Sequence, residues 1–268
     1  MTAAAAWRLD AKCNEIIDRL NSAAMRVPID ENLLNQIAFQ ANHLRGAPLT
    51  HRSILGMIET LRGNPEGVVL QLEAARPFAA QNLPAFYANF AISLAEVGAI
   101  DEARTHIEEG LKQVGGHAEF LYSASAVLAS VGLTTSAAKV RSRLLEVEPG
   151  ASTADFIRID KALSERGLHE RQIAEYFYTA RSLLREHGSR RSSFVLSYCH
   201  AEDPFCPVCI AEIRVPFSAD IAVDLEDAWT DLLESNEKFS ELRQSIVFKF
   251  TPEGGEEQDG SPRSVAAR

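Results

Sequence analysis

Apolar residues recur every three or four positions over about residues 3–188, which is the spacing of one buried face on an amphipathic helix. The pattern is clearest between Pro84 and Gly150, where a helix of small and apolar residues, a glycine turn and a second helix occur twice. The two copies are offset by 34 residues, the separation of Gly98 from Gly132. A repeat of this length, built from paired helices, predicts units that stack and bury a common core.

The turn glycines indicate how many such units the chain contains. Gly63, Gly98, Gly132 and Gly167 are separated by 35, 34 and 35 residues. The residues after each turn favour the start of a helix, and they are Asn64-Pro65, Asp101, Thr134 or Thr135, and the segment after Leu168. The sequence therefore predicts four helical hairpins over residues 49–188. The helices in residues 1–48 are expected to form a degenerate or capping pair.

The residues at the helix crossings resemble those of the tetratricopeptide repeat (TPR) family. The matching positions are Phe90-Ala91, Ala103, Ile107 and Gly110 in one copy, and Ala124-Ser125, Ala137 and Pro149 in the next. Arg141 stands where an aromatic residue is usual in the family. The resemblance implies a right-handed α-solenoid that acts as an adaptor or regulator without enzymatic activity.

The same resemblance implies where a partner would bind, because the family forms its concave face mostly from the first helix of each pair. The corresponding positions are Met57, Ala85, Ala88, Asn89, Ile92, Tyr122, Ala126 and Ala129. They are small, mostly apolar and nearly uncharged, without the cations by which chaperone-binding members hold a C-terminal carboxylate. The expected ligand is an apolar helix or peptide of a protein partner. Alternatively, flanking segments of this chain fill the groove.

A different pattern begins after the last hairpin and predicts a small α+β module over residues 193–250. Residues 194–198 and 208–217 predict two antiparallel strands, and residues 245–250 alternate like a third. A helix that begins at Ser218 or at Asp224 lies before this third strand, which gives the order β-β-α-β. The aromatic run at residues 176–178 is expected to pack the module against the last hairpin. Residues 251–268 contain few apolar side chains and predict a disordered tail.

Candidate chemistry is concentrated in Cys199, His200, Cys206 and Cys209. A Cys-Pro-Val-Cys turn can direct two thiolates at one metal, and Cys199 or His200 would supply a third ligand, so zinc is the cofactor to consider. The alternative function is then a metal-binding or catalytic C-terminal module, with the repeats as a platform for its partner or substrate. The competing interpretation is that the cysteines pack as small apolar groups, and in that case no cofactor is expected.

Charge and targeting features narrow the class of partner. The formal net charge of −10 and the pI of about 5.3 disfavour nucleic acid, which needs a concentrated positive face. The basic cluster of Arg181, Arg185, Arg190 and Arg191 is interpreted as a solvated helix end. No secretory signal or membrane-length apolar stretch occurs in the sequence, so a cytoplasmic protein is expected. Its partner would be a protein or peptide, or a second copy of the chain.

Overall fold

The computed structural model describes residues 3–24, 28–44, 46–151, 154–189, 193–199 and 206–252, with only the backbone of residues 3–10, 154 and 193. The chain is mainly helical and has a small three-stranded sheet near its C-terminus. The helices are α1 (Ala3–Ala24), α2 (Glu31–Ala41), α3 (Pro48–Arg62), α4 (Pro65–Ala75), α5 (Leu83–Glu96), α6 (Ile100–Val114), α7 (Ala118–Ser130), α8 (Thr134–Val147), α9 (Ala154–Glu165), α10 (Glu170–Glu186), α11 (Ala219–Glu234) and α12 (Ser240–Ser245). The strands are β1 (Ser193–Tyr198), β2 (Cys209–Val215) and β3 (Ile246–Pro252), and 3-10 helices cover Arg76–Gln81 and Glu237–Phe239. In the part of the chain that the structure describes, no helix combines the length and apolar character needed to cross a bilayer.

The predicted hairpins are present as the pairs α3/α4, α5/α6 and α7/α8, whose members pack against each other. Their first helices also contact in turn, α3 with α5 and α5 with α7. The four predicted turn glycines all have positive φ, between 67° and 83°, a conformation that glycine adopts without steric cost. The fourth pair departs from this arrangement, because the closest helical neighbours of α10 are α8 and α11.

The helix starts agree only in part with the predicted caps. Asn64 caps α4 as expected, with its side chain accepting a hydrogen bond from the Gly67 amide at 3.0 Å. The prediction for α8 is wrong, since neither Thr134 nor Thr135 caps it. Instead, the carboxylate of Glu170, from α10, accepts a hydrogen bond from the Ser136 amide at 2.7 Å. A tertiary contact thus replaces the local cap, and sequence spacing alone cannot reveal such a contact.

The C-terminal module has the predicted strands and the predicted helix before β3, and the short helix α12 is added between α11 and β3. β1 pairs antiparallel with β2, and β3 pairs parallel with β2 after the crossover through α11. α11 begins at Ala219, which agrees with the earlier of the two predicted starts. β3 continues to Pro252, two residues past the predicted module, and residues 253–268 of the predicted tail lie outside the described residues.

The aromatic run on α10 packs the module against the helices, as predicted. The ring of Tyr176 contacts Trp229, Phe239 and Phe248, and its hydroxyl donates to the Ile246 carbonyl at 3.3 Å. Leu196 on β1 touches both the repeat core and the core of the module. The edge strand β1 therefore lies against the helical hairpins.

Candidate functional site

A cavity of about 820 Å³ lies between the hairpins and the C-terminal module. Its walls come from α5, α7, α8, α9 and β1, and they include Asn82, Ala85, Ala88, Asn89, Tyr122, Ser123, Arg141, Phe156 and Leu196. Four of the predicted groove residues lie in this lining, namely Ala85, Ala88, Asn89 and Tyr122. The structure thus brings together half of the predicted groove and closes one side of it with β1.

The other predicted groove residues lie elsewhere. Met57 and Ile92 line a separate cavity of about 80 Å³ beside the end of α1. Ala126 is half-buried and does not belong to the lining that the described residues form around the large cavity. Ala129 is only 2% exposed and packs in the repeat core, so its assignment to a binding surface is wrong. Residues of α1 line the cavity that contains Met57 and Ile92, whereas β1 lines the one that contains Tyr122.

The cavity also contains a cation that the sequence argument did not place there. Arg141, on α8, is 2% exposed, and its guanidinium carbon lies 4.4 Å from the centre of the Tyr122 ring and 4.7 Å from that of Phe156. Both rings belong to the cavity lining. The expectation of a nearly uncharged groove is therefore wrong. That expectation was based on the first helix of each pair, whereas Arg141 reaches the cavity from α8, the second helix of its pair.

Arg141 has an incomplete set of partners. Its Nε and Nη1 atoms are buried and have no hydrogen-bond acceptor in the described structure, and none of the ion pairs formed there includes it. Burial lowers the pKa of Arg141, and the interaction with Tyr122 partly offsets that effect. An arginine nevertheless remains charged at neutral pH, so the cavity holds a buried positive charge with no anion among the described residues.

The rim of the cavity carries the opposite charge. Glu119, Glu148 and Asp155 line it and are exposed to solvent. Asp155 has a weak ion pair with Arg158 at 3.9 Å, between two half-exposed side chains. The site therefore combines one buried cation with three solvent-exposed carboxylates.

The predicted basic cluster is not a solvated helix end where the structure describes it. Arg181 is 3% exposed, and it donates to the Ser130 carbonyl at 3.2 Å and to the Ser130 hydroxyl at 3.1 Å. It also lies 3.5 Å from the Glu96 carboxylate and stacks on Phe194. Arg185 donates to the Glu96 carbonyl at 3.0 Å. These residues join α10 to the ends of α5 and α7; Arg190 and Arg191 lie outside the described residues.

Three of the four predicted metal ligands lie in the part of the chain that the structure describes. Cys209 is 1% exposed, and burial raises the pKa of its thiol to about 12, so the thiol is protonated at neutral pH. Cys199 and Cys206 are half-buried, and His200 lies outside the described residues. The described residues include no group of three or more ligands placed to hold a metal.

Two signals in the sequence could have located the cation. Arg141 occupies a position where the TPR pattern has an aromatic residue, and the buried residues Ala137 and Leu144 flank it on the same face of α8. Comparison of the chain with known protein families, curated proteins and solved structures finds no match.

Proposed function

We propose that this chain is a non-enzymatic protein-interaction adaptor or regulator that binds a partner peptide in the cavity between its hairpins and its C-terminal module. The observation that carries the proposal is the cavity itself. Its volume of about 820 Å³ lies in the range of pockets that bind ligands, and small residues on α5 and α7 leave room for an incoming chain.

We further propose that the hairpins form a right-handed, TPR-like α-solenoid. The serial contacts of α3, α5 and α7 support this arrangement, as do the positive φ values of the regularly spaced turn glycines. In such an arrangement the cavity lies on the face formed by the first helices. The exposed ring of Tyr122 supplies the kind of aromatic anchor that is enriched at protein interfaces.

The test uses a substitution that places a larger side chain in the cavity and leaves the rest of the surface unchanged. In Ala88→Arg, a long cationic side chain replaces a half-buried methyl group in the lining. Ala80→Arg is the matched control, because Ala80 is exposed on the 3-10 helix and lies outside the lining. Peptides selected from a random library on the wild-type protein should bind the control and lose at least tenfold in affinity for Ala88→Arg. Equal binding to both variants would exclude the cavity as the binding site.

A further inference from the structure

We propose that the cavity recognises a glutamate or aspartate side chain of the partner peptide through Arg141, and that basic residues flank this acid. The inference rests on the proposed function, and it adds the chemistry of the ligand. Three features of the cavity support it: the unused donors of Arg141, the two rings that hold its guanidinium, and the carboxylates at the rim.

The first feature is the set of N–H donors of Arg141. A guanidinium group has five N–H donors that lie in its plane, so rings stacked on its face do not occupy these donors. In Arg141, the Nε and Nη1 atoms have no acceptor in the described structure. Buried charges in proteins are normally paired, and the anion that best matches a guanidinium is a carboxylate or a phosphate. Because Arg141 belongs to the cavity lining, a ligand oxygen that reaches its buried Nε and Nη1 atoms would supply the missing acceptor.

The rings fix where that acceptor must lie. Tyr122 and Phe156 hold the guanidinium carbon at 4.4 and 4.7 Å from their centres, so the side chain is positioned before any ligand arrives. Tyr122 is still 58% exposed and offers the rest of its ring to an apolar neighbour of the bound acid. A positioned donor loses less conformational entropy on binding than a mobile surface arginine.

The rim determines what surrounds the acid. Glu119, Glu148 and Asp155 would repel a run of acidic residues and attract lysine or arginine on either side of a single acid. The acidic segment after β3 in this same chain carries Glu253, Glu256, Glu257 and Asp259 with no base between them, so it fits the rim poorly. A purely apolar helix fits poorly as well, because it would cover Arg141 without supplying an acceptor. The favoured occupant is a partner segment with one central acid and basic flanks.

The experiment uses the full chain and short synthetic peptides that carry no terminal charge, acetylated at the N-terminus and attached to a surface through the C-terminus. Peptides are made in matched pairs that differ only by Glu or Gln at the centre, and each pair is made with lysine or serine flanks. A separate set has a free C-terminal carboxylate and no internal acid. Binding is measured for the wild type, Arg141→Met, Arg141→Gln, Glu148→Gln, Ala88→Arg and a chain that ends at Pro252.

We expect the wild type to bind the best Glu peptides at least tenfold more tightly than their Gln partners. Both Arg141 variants should lose this preference, and circular dichroism should show unchanged helix content in at least one of them. Lysine flanks should strengthen binding, and Glu148→Gln should reduce that gain by a factor of about two or more at low salt and by less at raised salt, where exposed charges are screened.

Three results would overturn the proposal. The first is equal binding of Glu and Gln peptides to the wild type. A result in which no peptide binds the wild type better than it binds Arg141→Met counts as the same outcome. The second is stronger binding of peptides whose only carboxylate is the free C-terminus, which would assign the site to chain ends. The third is a Glu preference that appears only in the chain ending at Pro252, which would make the segment after β3 the occupant.

The outcome also separates this inference from the proposed function. If peptides bind the wild type and fail to bind Ala88→Arg, but show no preference for Glu, the cavity is an interaction site and the role of Arg141 is refuted. If no peptide distinguishes the wild type from Ala88→Arg, the proposed function fails together with the inference.

Discussion

Two buried arginines on neighbouring parts of the molecule have opposite surroundings. Arg181, where α10 meets the ends of α5 and α7, has a carbonyl, a hydroxyl and a carboxylate within 3.5 Å. Arg141, in the cavity, contacts two aromatic rings, and its Nε and Nη1 atoms have no acceptor in the part of the chain that the structure describes. Exposure does not distinguish them, since both are 3% exposed or less. The difference in acceptors indicates that Arg181 serves the fold, whereas Arg141 serves a ligand.

A buried histidine shows the other way in which a protein accommodates a base. His106 is 3% exposed, lies among Phe86, Tyr87 and Phe90, and burial lowers its pKa to about 4. It is therefore uncharged at neutral pH. Arginine cannot lose its proton in this way, so a buried arginine without an anion is a cost to the fold that a function has to explain.

The largest expected effect comes from removing the paired arginine. Arg181→Met leaves the Glu96 carboxylate and the Ser130 groups without their donor, and it should lower the free energy of unfolding by about 3 kcal/mol. Urea denaturation followed by circular dichroism measures this loss. Arg171→Met, at an exposed position on the same helix, is the control and should stay within about 0.5 kcal/mol of the wild type. Equal effects of the two substitutions would show that α10 is not held at the ends of α5 and α7.

The next effect is the pH dependence that His106 confers. Because the folded pKa of about 4 lies below the ordinary 6.5, the unfolded chain takes up the proton first as the pH falls. The stabilisation is complete above pH 6.5 and is lost as the pH falls towards 4, by a total on the order of 3 kcal/mol. Urea denaturation at several pH values gives the unfolding free energy as a function of pH. This free energy should fall less steeply with decreasing pH in His106→Phe than in the wild type. An unchanged slope would mean that His106 titrates normally.

A smaller effect tests the position of α10 directly. Gly132 has a φ of 78°, and a Cβ atom there would lie 2.8 Å from the Ile173 carbonyl oxygen of α10. Gly167 has a similar φ of 75°, but nothing lies within 4 Å of its Cβ position. Gly167→Ala should lower the free energy of unfolding by about 1 kcal/mol, because the backbone conformation alone is strained. Gly132→Ala should lower it by about 2 kcal/mol or more, because α10 must also move. Equal losses in denaturation experiments would contradict the packing of α10 over this turn.

Much of the fold follows from the sequence, because helix periodicity and turn glycines act locally. The glycine at each hairpin turn, the cap at Asn64 and the β-β-α-β order are all set by residues near each other in the chain. The features that were missed depend on contacts between distant segments. Glu170 caps α8 from α10, and Arg181 binds groups that lie on α5 and α7.

The candidate site was predicted only in part for the same reason. Ala85, Ala88, Asn89 and Tyr122 line the cavity because they share the exposed face of consecutive first helices. The cation and the enclosing strand could not be assigned to that face from a repeat pattern. Arg141 comes from a second helix, and Leu196 comes from a module that the repeat does not include.

The central claim is that Arg141 is retained for binding and not for stability, and the unfolding free energy of Arg141→Met at neutral pH tests it most directly. Because no described residue supplies an anion that this substitution would leave unpaired, it should leave stability unchanged or raise it by about 1 kcal/mol, whereas Arg181→Met should lower it. A loss of about 3 kcal/mol, equal to that of Arg181→Met, would contradict the account, because it would mean that the fold itself depends on the charge in the cavity.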